Sequence, residues 1–507
     1  MSAASSPLAT SPHTDVARAP RVCLNCKKKK KRCDKALPAC TRCVESLTTC
    51  QHEEDLVTDG PVTPIYSLYS GGLSPLGNPG PVLRHSSQSW GSSSLVGSIR
   101  AAVDVHGLAF RSMMEILVDR QGIEQVVSSY FAAAHTWVTI VDRPSLESQL
   151  ELDSIWQSPP SAETCILILC MSLMTRPSVV LPNSPMSDTS YHTAKALFGL
   201  IQSNGEVPKN VSLQAELLVA LYEYSNAMPQ QAYFSVGRCL QMSRMLGWHN
   251  KLFWDEERRR NFPSDLKLAS TLWWALVQID VLVSAGYSEQ KYPMHTANLN
   301  LGFEIPLPKD FDKYIPAAFL GQTFADGPVY SIDAMPLPEA TSAWCLSHAM
   351  QQLYHPTPTD NQQQLSDAII SHTVGLNGVD GEGPWANGER SGAVAAGLIA
   401  LMKLHAPGLL HGTVTPPGTP SPAEKVRFAV EYIHNVTLKV DRYRILLAQG
   451  RVAPSWAFAM VYASILLIKH GDGALGDVMW LQKVNNLKSL LEIYAGRWKI
   501  AGKWSPS

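Results

Sequence analysis

Six cysteines fall within the stretch CLNCKKKKKRCDKALPACTRCVESLTTC (23–50), wrapped around five consecutive lysines. They are Cys23, Cys26, Cys33, Cys40, Cys43 and Cys50, so the spacing C-x2-C-x6-C occurs twice. Disulfide pairing needs an oxidising compartment, and residues 1–20 contain no apolar run of the secretory-leader kind. Two C-x2-C pairs with further cysteines at fixed offsets are better read as metal ligands. A structural zinc takes four thiolates in a closed tetrahedron. Six thiols are too many for one ion and two short for two separate ions. Two shared thiolates resolve the count, because six ligands then make eight bonds. One zinc with two spare cysteines is the alternative, and it leaves the repeat unexplained.

The positive charge must be placed next. Cys26 and Cys33 are seven residues apart, almost two helical turns, so on a short helix both would face the metal while Lys28, Lys29 and Lys30 project elsewhere. Residues 21–50 carry nine Lys or Arg against two acids, a side-chain charge of +7. The whole chain is −1 and residues 1–20 are neutral, so 51–507 carry −8. A compact basic module on an otherwise acidic chain is the electrostatic footprint of a nucleic-acid binder. The first repeat carries KKKKKR between its cysteines and the second VESLTT. Only the first helix is therefore expected to dock on phosphates and reach base edges, where lysine donates to guanine O6 and N7. The second is expected to complete the metal core. Taken alone, KKKKKR would also suit a solvated face or a nuclear-import signal.

The cysteine spacing, the basic run between the second and third cysteines, Asp34 after the third and Pro38 two before the fourth resemble the fungal six-cysteine binuclear zinc cluster. That resemblance covers about 30 residues and implies a DNA-binding domain of a fungal transcription regulator holding two zinc ions. It implies that Cys23 and Cys40 bridge both ions, that Cys26 and Cys33 complete one site, and that Cys43 and Cys50 complete the other. It places Lys29 and Lys30 at positions that read a CGG-type triplet and Lys28 on a phosphate. The residues expected on double-stranded DNA are Lys27, Lys28, Lys29, Lys30, Lys31, Arg32 and Lys35.

Four regions follow: a tail (1–20), the cluster (21–52), a Pro/Gly/Ser-rich linker (53–99) and a large helical body (100–507). Pro61, Pro64, Pro75, Pro79 and Pro81 interrupt the place where relatives carry a dimerising coiled coil. Pairing of two chains would then have to come through the body. The body is expected to be all-helical, with helix-length apolar patterns at 215–227, 266–286, 423–450 and 484–500 and loop insertions near 355–392 and 413–424. No stretch reads as a membrane span: the run from Gly392 stops at Lys403, and Gln278 and Asp280 interrupt the other. YFAAAHTWVTIVDRPSL (130–146), GRCLQMSRMLGWHN (237–250), DEERRR (255–260) and TLWWALVQIDVLVSAGYS (271–288), in that order, resemble the fungal-specific transcription factor domain, or middle homology region, over roughly 110–300, with a weaker likeness to the end. Glu256, Glu257 and Arg258 to Arg260 are expected to pair at a helix junction, Trp273 to sit in the core and Trp274 at its rim.

Chemistry beyond the cluster is not evident. The chain contains no H-E-x-x-H, G-x-S-x-G or Walker loop, and its histidines lack metal spacing. Cys165, Cys170, Cys239 and Cys345 read as buried thiols, with a redox sensor as the alternative. The reading is a mostly α, non-enzymatic nuclear regulator of RNA polymerase II transcription. It would activate a metabolic or secondary-metabolite gene set, with coregulators as partners and no membrane. A zinc-stabilised nucleic-acid or chromatin adaptor that does not read sequence is the alternative.

Overall fold

The computed structural model describes residues 22–35, 40–46, 104–150, 155, 157–176, 189–203, 207–254, 260–286, 292–296, 307–308, 331–332, 337–354, 359–376, 388–411 and 418–502. The tail 1–20 and the linker 53–99 lie outside these residues. The chain divides into two units, Met1–Trp90 and Gly91–Ser507. The first contains α1 (Leu24–Lys28) and α2 (Thr41–Glu45). The second contains α3 (Val105–Leu117), α4 (Arg120–Ala132), α5 (Arg143–Gln149), α6 (Ala162–Thr175), α7 (Thr189–Ser203), α8 (Asn210–Ser225), α9 (Pro229–Met245) and α10 (Pro263–Gly286). It continues with α11 (Leu337–Tyr354), α12 (Thr359–Gly375), α13 (Ser391–His405), α14 (Gly408–His411), α15 (Pro422–Thr437), α16 (Val440–Ala448), α17 (Ser455–His470), α18 (Trp480–Ala495) and α19 (Lys499–Gly502). Among the described residues the only strands are Leu307–Pro308 and Ser331–Ile332, paired in parallel. The mostly α class is as expected.

Polar residues start the helices where their orphan N–H groups need an acceptor. Asp104, Asp119 and Asp142 accept from Gly107, Gly122 and Ser145 at 2.9, 2.8 and 3.0 Å. Ser421 and Glu424 form a reciprocal capping box in front of α15. At the other end of α9, Gly247 takes φ 85° and Trp248 N donates to Ser243 O at 3.1 Å. That six-to-one bond closes the helix at the Leu-Gly-Trp step.

Two helices that are apolar all round organise the second unit, as such a pattern requires. In α6 every residue but Thr175 is buried, packed among α3, α4, α7 and α8. In α13 every residue but Lys403 is buried, packed among α11, α12, α15 and α17. Small residues let α13 approach its neighbours closely: a Cβ at Gly397 would stand 2.4 Å from Thr373 Oγ1. Helices α8, α9, α10 and α11 link the two centres in sequence.

The pattern over 423–450 is two helices, α15 and α16, divided at Leu438 and Lys439. The stretch 355–392, read as an insertion loop, contains α12, whose Leu365 and Ile369 are buried four residues apart. The second loop ends at Ser421, because Pro422 already opens α15. Trp274 is buried like Trp273, not at a rim. Residues 255–259 lie outside the described ones, and Arg260 is exposed. Pro263–Gly286 and Ser391–Leu410 are long and apolar enough to cross a membrane, contrary to the reading above; both are mostly buried within this unit. Lys403, where the second run seemed to stop, holds its ammonium 4.3 Å from the centre of the Tyr462 ring.

Charges inside the unit are matched to dipoles and hydrogen bonds. The guanidinium of buried Arg497 donates to Met174 O at 2.7 Å and Thr175 O at 3.1 Å, the carbonyl end of α6. Trp137 Nε1 donates to Gly450 O at 3.0 Å, and the Trp137 and Trp498 rings meet edge to face. Asp280, fully buried on α10, accepts from His295 N and from Thr296 N and Oγ1 at 3.2, 2.7 and 2.7 Å. Burial pushes its carboxyl above the ordinary range, and the Thr296 bonds pull the other way. Cys165, Cys170, Cys239 and Cys345 are all fully buried. Burial pushes the Cys165 and Cys345 thiols up to about 12, which keeps them protonated and inert.

Two buried histidines make stability depend on pH. His372 Nε2 lies 2.9 Å from Ser342 Oγ and 3.1 Å from Pro338 O; His405 Nε2 is hydrogen-bonded to Ser366 Oγ. Burial first, then the Arg390 charge, lowers His372 to about 4; burial, then Lys425, lowers His405 to about 3. The unfolded chain takes up these protons near pH 6.5, whereas the folded unit resists them until about pH 4. The unfolded state therefore binds more protons between those values, and stability falls as pH drops through them. Each imidazole contributes at most about 1.4 kcal/mol per pH unit. Thermal unfolding midpoints from pH 7.5 to 4.5 should fall below pH 6.5, and less steeply in the His372→Gln/His405→Gln double variant. An equal slope in both proteins would mean that these rings are not the source.

Candidate metal centre and nucleic-acid interface

The two half-repeats begin alike. Cys23 and Cys40 immediately precede α1 and α2, and Cys26 and Cys43 lie within them. All four thiols are buried, yet among the described residues their only core partner is half-buried Cys33. Among the described residues this unit thus has a core of sulfur and no aliphatic one. Cys23 Sγ lies 3.8 Å from Cys40 Sγ and 3.7 Å from Cys43 Sγ, and Cys26 Sγ lies 3.8 Å from Cys40 Sγ. With Zn–S bonds of about 2.3 Å, the edge of a ZnS4 tetrahedron is about 3.8 Å. Each of these three contacts, Cys26–Cys40, Cys40–Cys23 and Cys23–Cys43, has the length of such an edge. The four sulfurs lie within 4.8 Å of one another.

Thiols this close are poor ligands until a cation arrives. Burial, then the hydrogen bond with Cys23, pushes the Cys26 thiol up to about 12. Burial also raises Cys33, but N–H groups of Cys23 and Lys35 and the neighbouring thiols outweigh it and lower that thiol below its ordinary value. A divalent ion reverses the balance for the whole set and deprotonates its ligands. Cys33 packs against the four-thiol group, which is one more ligand than a single closed tetrahedron accepts. Cys50 lies outside the described residues.

The two-turn helix expected across Cys26–Cys33 does not form. Helix α1 ends at Lys28, Lys30 takes φ 49°, Lys30 N donates to Lys27 O at 3.1 Å and Lys31 N donates to Cys26 O at 3.0 Å. This is a Schellman stop with lysine where glycine is usual, and the left-handed backbone costs a lysine about 1 kcal/mol. The chain must turn there because Cys26 and Cys33 both return to the thiol group. Lys27 and Lys28 therefore occupy the last helical turn, favourable against the carbonyl end of the dipole. Lys29 and Lys30 form the turn, and Lys31 and Arg32 run out of it. All six are exposed; Lys35, also left-handed at φ 61°, is half-buried.

Asp34 joins the half-repeats. Its carboxylate accepts from Thr41 N, 3.2 Å from each oxygen, and from Thr41 Oγ1 at 2.5 Å, at the start of α2. A wide-mouthed groove of about 620 Å³ opens here, lined by Arg32, Cys33, Asp34, Thr41, Arg42 and Ser46. Arg42 carries no expected role beyond its charge, because it lies in the repeat without a basic run.

The profile of the fungal Zn(2)-Cys(6) binuclear cluster domain matches residues 21–57, and that of the fungal specific transcription factor domain matches 127–375. Transcription factor BOA15 of Botryotinia fuckeliana (strain B05.10) is 31% identical over 137 residues, which are 27% of this chain and 73% of that protein. The chain belongs to the fungal zinc-cluster transcription factors. The acetamidase regulatory protein of Emericella nidulans is 27% identical over 166 residues, 32% of this chain but only 20% of that protein. No solved structure matches. Membership brings two zinc ions to the cluster domain and DNA as its partner, and the family is one of transcription factors, not enzymes. The matched helical region starts at 127, later than the 110 expected, and runs past 300, where a weaker likeness was expected, through α12.

The arrangement of the thiols makes a distinction between ligands testable. Native mass spectrometry of the full chain should count two zinc ions, and Cys40→Ala should lose both, because its thiol, in the second half-repeat, lies against Cys23 and Cys26 of the first. Chelation should open the cluster thiols to alkylation while Cys165, Cys170, Cys239 and Cys345 stay protected. One zinc in the wild type would overturn the expected sharing of two thiolates.

Proposed function

We propose that this transcription factor reads a CGG-like triplet with the lysines at the end of α1, that Cys23, Cys26, Cys33, Cys40, Cys43 and Cys50 hold its two zinc ions, and that it acts in the nucleus on RNA polymerase II transcription. One observation carries the reading: the sulfur core fixes a five-residue helix whose carbonyl end presents Lys28, Lys29 and Lys30, all exposed. Cations at that end are stabilised by the dipole and stand clear of the metal. Lys29 and Lys30 supply the donors for guanine O6 and N7. Lys27, Lys28, Lys31, Arg32 and Lys35 hold phosphates, which give affinity without sequence information. The acidic remainder suits an activator that recruits coregulators, and the name of the Emericella relative favours a metabolic gene set.

Selection from a random duplex pool tests triplet readout; a flat profile would favour the adaptor that grips phosphate alone. Lys29→Ala and Lys30→Gly, the glycine keeping the left-handed turn, should each cost about 1–3 kcal/mol on the selected triplet and much less on random DNA. Lys35→Ala should weaken binding to all duplexes alike. Equal losses on target and random DNA for the first two variants would mean that Lys29 and Lys30 read no bases.

Pairing of two clusters, in this reading, runs through the helical unit. A chain of about 50 residues with the composition of a Pro/Gly/Ser-rich linker would span on the order of 40 Å root-mean-square. Two triplets should be bound by the full chain with little dependence on their gap across a whole DNA turn, about 10 base pairs. Tight binding at a single gap would place a dimerising element beside the cluster.

A further inference from the structure

The groove between the half-repeats holds two cations and one acid. Arg32 reaches it from the segment after the lysine turn, and Arg42 from α2. Both are exposed, and among the described residues neither guanidinium has a hydrogen-bond or ion-pair partner. The acid between them, Asp34, is engaged by the Thr41 backbone and hydroxyl. Two guanidinium groups line one concavity with a single carboxylate whose oxygens already accept from Thr41, and this net positive charge suits a planar or tetrahedral anion. We propose that this groove seats a phosphate of the DNA backbone and that Arg42, in the repeat that lacks a basic run, is a DNA contact.

The proposal rests on the DNA-binding reading and changes its geometry. Helix α2 then completes the metal core and also grips the backbone, so the module touches DNA from both half-repeats. A phosphate in the groove would be held by Arg32 and Arg42 together. Such a contact fixes the orientation of the module on the duplex and carries no base preference of its own.

Each phosphate neutralised contributes a slope of about −0.9 in log K against log salt. Arg42→Gln in the full chain should reduce the magnitude of that slope by about 0.9 and weaken binding roughly fivefold to tenfold at 0.1 M salt, equally on triplet and random duplexes. Arg42→Lys should restore the slope. Ser46 lines the same groove, so Ser46→Lys should raise the slope magnitude by about as much; this variant keeps the test open should Arg42→Gln lose metal. Zinc content, counted as two per chain, is the control for folding. An unchanged slope in both Arg42→Gln and Ser46→Lys, with zinc retained, overturns the phosphate seat. A loss confined to the triplet overturns it too, by making Arg42 a base reader. Either failure leaves the Lys29 and Lys30 selectivity standing, whereas loss of that selectivity alone would sink triplet readout and leave the seat intact.

Discussion

Five sulfurs packed at contact distance, three of their contacts at 3.7–3.8 Å, are the constraint on which the N-terminal unit depends. Buried thiolates repel one another, so they can be gathered only around cations. Among the described residues no aliphatic side chain joins that core, and five-residue helices are too short to hold themselves. The metal must therefore supply both the charge balance and the folding free energy. The rest of the unit follows: the left-handed Lys30, the end of α1 and the divergence of the six basic side chains all result from returning Cys33 to the group that holds Cys26.

The sequence revealed the parts of the site that depend on spacing and hid those that depend on closure. The doubled C-x2-C-x6-C announced two equal half-repeats, and each indeed places its second cysteine inside a short helix. A separation of seven residues also fits two helical turns, and that inference failed at Cys33. Local periodicity cannot show that a chain is pulled back by a metal. Gly247 and Lys30 make the contrast plain. Both end a helix by the same six-to-one bond, but only the glycine advertises it in its residue type. Arg42 was passed over for a related reason: a groove between repeats is a tertiary feature with no motif.

In the helical unit, capping and burial were legible and boundaries were not. Asp142 in the Asp-Arg-Pro-Ser step starts α5, and the four isolated cysteines are buried. The stretch 355–392 looked like punctuation because its glycines and prolines outweigh the sparse apolar positions of α12. Those positions, Leu365 and Ile369, are enough once α13 offers an apolar surface, which is a property of the partner helix. The apolar length of α10 and α13 has the same origin, since a helix surrounded by helices needs no polar face.

The contacts of Trp137 with Gly450 and of Arg497 with Met174 and Thr175 join residues more than 300 positions apart. They give the helical unit a seam between its early and late helices. During synthesis, the end of α6 must wait for Arg497 while 322 further residues are added. At the usual pace of translation that is on the order of tens of seconds. Through that interval the apolar face of α6 has its early neighbours but lacks its cationic cap. The small metal unit, whose described ligands lie within 20 positions of one another, has no such delay. A nascent chain can thus carry a finished metal unit while the body that follows is still open at its seam.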